Sequence, residues 1–146
     1  MSYPYGEHVL FTDNQPFLSA AIQWWNRHIG AVSDETVGIV NVFQVLSMLF
    51  GCGILYVLLR KLHLSVWYAT FVCLGMIFLS PQQGRFEMHF GLSHTWIFPM
   101  LLLLLCRYEE RHSRRYQSLF IGILVWVAAQ FHFYYLGLAA LFLGLY

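Results

Sequence analysis

The chain has 146 residues, of which 59% are hydrophobic, 18% aromatic and only 10% charged. Soluble domains carry about 25% charged residues, and disordered segments are poor in aromatic residues. Eight Lys or Arg residues against seven Asp or Glu leave a formal charge of +1, so nothing indicates a nucleic-acid partner. Three cysteines are too few for a small secreted scaffold held by disulfides. The composition therefore favours a polytopic membrane protein.

Residues 1–36 predict a first loop that contains one amphipathic helix. Pro16 suits the first position of a helix, and Gly30 suits its end. Between them, apolar residues recur at helical spacing: Phe17, Leu18, Ala21, Ile22, Trp25 and Ile29. Because tryptophans are enriched at the boundary between membrane and water, we expect this helix to lie in the plane of the interface.

Five hydrophobic stretches follow, so the predicted fold is an all-α transmembrane bundle of about four to five spans. The stretches cover residues 37–59, 64–80, 91–106, 116–129 and 133–146. About 20 apolar residues cross a bilayer, and the first stretch has no charged residue. Pro99 within the third stretch predicts a kink. The last stretch stops while still hydrophobic, so we expect the sequence to be an incomplete fragment of a larger protein.

The final uncharged stretch, residues 118–146, allows two interpretations. A straight helix of that length would measure about 44 Å, against a hydrocarbon core of about 30 Å. The polar sequence Gln130-Phe131-His132 interrupts it and favours a hairpin of two helices. One long helix that crosses at a tilt is the alternative.

The basic residues predict the orientation of the spans. Six of the eight lie in the loops after the first and third spans: Arg60, Lys61, Arg107, Arg111, Arg114 and Arg115. The positive-inside rule places these loops in the cytoplasm. Residues 1–36, the loop near residues 81–90 and the turn at residues 130–132 are then predicted to be exoplasmic.

The candidate site residues lie in those three exoplasmic segments. Asp13 precedes the interfacial helix, whose dipole favours a negative charge at that end. Arg85 is a permanent cation whose guanidinium can bind a phosphate through two parallel hydrogen bonds. The remaining candidate ligands of a substrate are Glu7, Glu87, His89 and His132.

Structural interpretations compete with the functional ones. Asp13 could serve only near the helix cap, Arg85 and Glu87 could form a loop ion pair, and His132 could belong to an aromatic belt. Polar loops are in any case ordinary, so the sequence alone decides none of these.

Polar residues within the spans are few. Asn41 and Gln44 are three residues apart on one helix face, which predicts that both face one cavity. His89 and His94 are five residues apart, off the four-residue spacing that places two ligands on one helix face. The sequence contains no zinc, haem or phosphate-loop motif, and the cysteines are interpreted as small hydrophobic residues.

Several segments resemble one known superfamily. They are Tyr3-Pro-Tyr-Gly-Glu-His-Val-Leu-Phe-Thr-Asp-Asn-Gln-Pro, Arg85-Phe-Glu-Met-His-Phe-Gly-Leu, Ile97-Phe-Pro-Met-Leu and His132-Phe-Tyr-Tyr. With the interfacial helix and short spans, they make the chain similar to the GT-C superfamily of membrane glycosyltransferases, in particular its large bacterial YfhO-like members.

The resemblance implies an enzyme of the bacterial inner membrane that transfers a sugar from a polyprenyl-phosphate donor at the outer leaflet. Asp13 matches the acidic catalytic residue of the family's first outer loop, where it would act as general base. Arg85, His89 and His132 would stabilise the departing lipid phosphate. Glu7 would assist at a metal site, as in some relatives, although several of these carry an acidic pair where this chain has one Asp.

Two other functions fit the same residues. A transporter or flippase-like protein would bind a lipid head group in the outer cavity without chemistry. A non-catalytic membrane subunit would use the polar outer loops as a docking surface. The cofactor is open, and a divalent metal is one option.

Overall fold

The computed structural model describes residues 16–32, 35–79, 92–108 and 114–146. Within these ranges the chain is all-α, with six helices and no strand, which confirms the predicted class. The helices are α1 (Pro16–His28), α2 (Thr36–Lys61), α3 (Val66–Leu79), α4 (Ile97–Tyr108), α5 (Arg114–Phe131) and α6 (Tyr134–Leu145).

Of the described helices, α2 alone is both long and apolar enough to cross a membrane, and it has 26 residues. Three shorter apolar helices, α3, α4 and α6, have 14, 12 and 12 residues. The described part of the chain thus contains one candidate span by length and composition.

The start of α4 differs from the predicted third stretch. Residues 93–96 are not helical, and the helix begins at Ile97. Pro99 therefore lies in the first turn, where backbone N–H groups have no partner within the helix in any case. A proline there removes no helical hydrogen bond, so the expectation that Pro99 interrupts the interior of a span is wrong.

Helix α2 packs through a single narrow stripe. Its buried residues are Gln44, Ser47, Gly51, Ile54 and Leu58. They alternate at spacings of three and four, which keeps them on one side of the helix. The stripe is polar toward the start of α2 and apolar toward its end.

The partners of this stripe show that α2 and α4 run in the same direction. Ser47 hydrogen-bonds His94, which precedes α4. Further along both helices, Leu58 packs in one cluster with Leu103. Between α2 and α4 in the chain, α3 turns back, since Cys73 of α3 lies next to Cys52 of α2.

Helices α5 and α6 form a hairpin beside α4. Ile97, at the start of α4, packs against Phe131 at the end of α5, so these two helices are antiparallel. Phe98 lies 6.0 Å from Tyr135 between ring centroids, near the start of α6. The last uncharged stretch is therefore divided into two helices, with the break at His132.

Two backbone hydrogen bonds in the turn between α2 and α3 end helix α2. The N–H of Leu64 donates to the carbonyl of Leu59, and the N–H of His63 donates to the carbonyl of Arg60. These two bonds form a Schellman motif. The motif requires a left-handed residue, and His63 supplies it with a φ of 62°.

Helix α1 begins at Pro16 and lies beside the start of α2 without burying any of its own residues. Its Phe17 ring contacts Phe131 of α5 at 6.1 Å between centroids.

Two clefts separate α1 from α2. The apolar one, of about 360 Å³, is lined by Leu18, Ala21, Ile22, Trp25, Val32 and Ile39. The more polar one, of about 270 Å³, is lined by Ser19, Ile22, Gln23, Asn26, Thr36 and Val40.

Candidate functional site

Polar side chains are buried in the half of this apolar set of helices that contains the start of α2. Four of them, which we call the polar cluster, come from α2 and from the segment before α4: Gln44, Ser47, Ser93 and His94. His132 is also buried, in the break between α5 and α6. All of them therefore lie toward the end of the bundle where α2 and α4 begin and α5 finishes.

The centre of the polar cluster is a hydrogen bond between Ser47 Oγ and His94 Nδ1, at 2.8 Å. The two residues are far apart in the chain, and His94 has no exposed surface. Burial of such groups is costly unless they are hydrogen-bonded. The bond therefore fixes the segment before α4 against α2.

A glycine allows this close approach. A Cβ at Gly51 would lie 2.7 Å from Thr95 Oγ1 and 3.1 Å from the backbone nitrogen of Trp96. Gly51 is on the buried stripe of α2, one turn beyond Ser47. Because the backbone of residues 95–96 rests on Gly51, the preceding residue His94 is held opposite Ser47.

Aromatic rings enclose the imidazole of His94. Its centroid lies 4.2 Å from that of Phe131 and 5.8 Å from that of Phe43. Phe43 and Phe131 are themselves stacked at 6.0 Å, and the Trp96 ring meets Phe131 edge-on at 6.0 Å. The aromatic enclosure keeps the Ser47–His94 hydrogen bond away from water.

One nitrogen of this enclosed imidazole has no hydrogen-bond partner among the described residues. Among the residues that the structure describes, Nε2 of His94 is buried and has no hydrogen-bond partner. An unsatisfied buried polar atom of this kind costs about 1–3 kcal/mol. This cost suggests that Nε2 of His94 has a hydrogen-bond partner outside the described residues, such as a bound ligand.

His132 occupies the break between α5 and α6. It is 9% exposed, and its Nδ1 accepts a hydrogen bond from the backbone N–H of Tyr134 at 3.3 Å. Its ring also stacks on that of Tyr134, at 4.8 Å. With Nδ1 occupied as an acceptor, Nε2 carries the proton of the neutral ring. His132 follows Phe131, so it adjoins the aromatic enclosure of His94.

The other predicted site residues lie outside the described residues: Glu7, Asp13, Arg85, Glu87 and His89.

The match to a known family covers the whole chain. Residues 1–146 match the model of DUF6311, a domain of unknown function. The chain belongs to the DUF6311 family. No curated protein and no solved structure matches it.

The buried polar groups in the described part of this DUF6311 chain are neutral hydrogen-bonding groups. Its polar cluster offers hydroxyl, amide and imidazole groups and no carboxylate. Within the described ranges, no three His, Cys, Asp or Glu side chains lie close enough to hold a metal ion. The arrangement is suited to accepting and donating hydrogen bonds in a dry site.

Sequence reasoning identified only part of the DUF6311 site. Gln44 is 2% exposed, whereas Asn41, which was predicted to face the same cavity, is exposed. Ser47 was missed. The pattern Gln44, Ser47, Gly51 was the available signal, because three small or polar residues at spacings of three and four indicate a close helix contact.

Proposed function

We propose that this DUF6311 chain is part of an integral membrane glycosyltransferase that transfers a sugar from a polyprenyl-phosphate donor. In this proposal α2 to α6 cross the bacterial inner membrane as a bundle of four to five spans. Residues 1–36 then lie on the exoplasmic side, with α1 at the interface. The observation that carries the proposal is the buried polar cluster at the end of the bundle next to α1.

The exposed surface of α2 supports placement in a membrane. Only 28% of its most apolar window is buried. Large hydrophobic side chains cover its outer faces, among them Val42, Val45, Leu46, Leu49 and Phe50. Water penalises a continuous apolar surface of this kind, whereas lipid chains do not.

The depth of the polar cluster supports a binding cavity. At a rise of about 1.5 Å per residue, Ser47 lies about 16 Å along α2 from Thr36. The non-helical residues 94–96 lie at the same level, against Ser47 and Gly51. Irregular backbone at membrane depth is tolerated where it is buried in protein or lines a water-filled cavity. Polar residues at that depth commonly mark a substrate pathway.

The proposed chemistry uses residues of the outer segments. The carboxylate of Asp13 accepts the proton of the acceptor hydroxyl as that oxygen bonds to the anomeric carbon. The bond from the sugar to the lipid phosphate breaks, and its electron pair leaves with the phosphate. Arg85, His89 and His132 stabilise the negative charge that develops on the phosphate. Glu7 and Glu87 are the further substrate-binding residues, and Glu7 would assist at a metal site if one is present.

The test is sugar transfer by the full-length protein in membrane vesicles supplied with polyprenyl-phosphate sugar. We expect Asp13→Asn to abolish transfer while expression and membrane insertion stay at the wild-type level. Asn14→Ala, at the neighbouring position, is the matched control and should transfer normally. A wild-type rate in Asp13→Asn would disprove the assignment of the base.

The same vesicles separate the competing functions. If Asp13→Asn has little effect while Arg85→Ala weakens lipid binding, the protein is a transporter or flippase-like binder. If Arg85→Ala disrupts a complex with other proteins and changes no turnover, it is a non-catalytic subunit.

A further inference from the structure

Ser47 determines which nitrogen of His94 carries the proton. The hydroxyl of Thr70, another helical residue, donates to the carbonyl of Val66 one turn earlier. Ser47 makes no such bond, and its one hydrogen bond within the described chain is to His94 Nδ1. A buried hydroxyl proton needs an acceptor, so Ser47 donates and Nδ1 accepts.

The bond from Ser47 also determines the protonation of Nε2, on the opposite side of the His94 ring. In a neutral imidazole, one nitrogen accepts and the other carries the hydrogen. With Nδ1 accepting from Ser47, Nε2 of His94 is an N–H donor. This is the atom that has no partner among the described residues. The Ser47–His94 pair is thus a buried donor that is oriented in advance and awaits an acceptor.

The surroundings specify what kind of acceptor fits. Phe131 and Phe43 flank the ring at 4.2 and 5.8 Å, so the donor lies in a dry, aromatic environment. A hydrogen bond to a charged oxygen is stronger than one to a neutral oxygen, and a low dielectric strengthens it further. A phosphate oxygen on an apolar carrier satisfies both the donor and its apolar surroundings.

We propose that His94 is a ligand-binding residue whose Nε2–H donates to a phosphate oxygen of the lipid-linked substrate, with Ser47 as the positioning residue that holds the tautomer. This deepens the proposed function and rests on it for the identity of the lipid phosphate. Binding itself is expected whether the phosphate is then released by sugar transfer or carried across the membrane.

The first measurement needs no variant. Nitrogen NMR of the ¹⁵N-histidine-labelled full-length protein in detergent reports the protonation of each ring nitrogen. We expect His94 to show a protonated Nε2 and an unprotonated Nδ1, and Ser47→Ala to change this to a mixture. Thr70→Ala removes a helical hydroxyl that bonds only the backbone carbonyl of Val66, and should leave the His94 signals unchanged. A protonated Nδ1 in the wild-type protein would overturn the proposal.

The second measurement is binding of a short-chain polyprenyl phosphate to the same protein, with inorganic phosphate as the second probe. Loss of a hydrogen bond to a charged group weakens binding about 10- to 150-fold, and we expect His94→Leu to fall in this range. His94→Gln keeps an N–H donor and should retain most of the affinity. His63→Gln, in the exposed turn at the other end of the bundle, is the matched control.

The two probes identify the source of the phosphate. Binding that depends on His94 with the lipid and not with inorganic phosphate assigns the site to a lipid. Equal dependence with inorganic phosphate supports the donor and assigns a free phosphate instead. Unchanged lipid affinity in His94→Leu, with its thermal unfolding intact, overturns the inference.

Failure of the inference is distinguishable from failure of the proposed function. If the wild-type protein binds the lipid phosphate through His94 but transfers no sugar, the glycosyltransferase proposal fails and the binding site stands. If it transfers sugar while His94→Leu and His94→Gln both bind normally, only the inference fails.

Discussion

The contact at Gly51 makes a quantitative prediction about how the site is held. Gly51→Ala adds a methyl group at 2.7 Å from Thr95 Oγ1 and 3.1 Å from the Trp96 backbone nitrogen. The Thr95 hydroxyl can rotate away, but the backbone of Trp96 can move only if the segment before α4 shifts. Gly53, on the same helix, has nothing within 4 Å of the equivalent position, so Gly53→Ala is the matched control.

The expected magnitude follows from two opposing effects. Replacing a helical glycine by alanine stabilises a helix by about 1 kcal/mol, and both variants gain this. Overpacking at a tight contact costs about 1–3 kcal/mol, and only Gly51→Ala incurs it. Gly51→Ala should therefore be less stable than Gly53→Ala by about 1–3 kcal/mol.

The assay is unfolding of the purified variants in detergent, followed by tryptophan fluorescence. Adding Thr95→Ala to Gly51→Ala removes the 2.7 Å contact and should restore part of the loss, while the contact with Trp96 persists. If Gly51→Ala and Gly53→Ala are equally stabilised, the segment before α4 does not rest on α2. The placement of His94 opposite Ser47 would then be refuted as well.

Two further predictions concern the opposite end of the bundle and its orientation. His63→Gly should raise stability by about 1 kcal/mol, because a left-handed residue with a Cβ is strained; His63→Ala, measured by the same unfolding assay, should show no gain. Single cysteines at Gln83 and Ser113, in a background without native cysteines, should react differently with an impermeant reagent in intact cells. Labelling at Gln83 alone is expected, and labelling at Ser113 alone would reverse the proposed topology.

The features that the sequence predicted well are those that depend on neighbouring residues. Pro16 begins α1, as expected of a residue that suits the first helical position. The polar residues around His132 mark the break between α5 and α6. Such signals act within one or two turns of the chain, so a single sequence contains them completely.

The polar cluster was harder to predict because it depends on a pairing across the chain. Helical spacing shows that Gln44 and Ser47 share a face, but not that Ser93 and His94 lie opposite them. The sequence Ser93-His94-Thr95 looked like part of an apolar stretch that continues into α4. Its polar character would have indicated a helix start after Thr95, since small polar residues suit the positions before a first turn.

The directions of the helices, derived only from contacts, bear on the proposed orientation. Because α2 and α4 are parallel and α5 is antiparallel to them, the ends of α2 and α4 meet the start of α5. Basic residues occur there in all three helices, at Arg60, Arg107 and Arg115. The helix dipole favours cations at the ends of α2 and α4 but disfavours them at the start of α5. Helix electrostatics therefore does not explain the shared basic end, whereas the proposed cytoplasmic side of all three helices does. The polar cluster is displaced from this basic end toward the start of α2, as the proposed exoplasmic site requires.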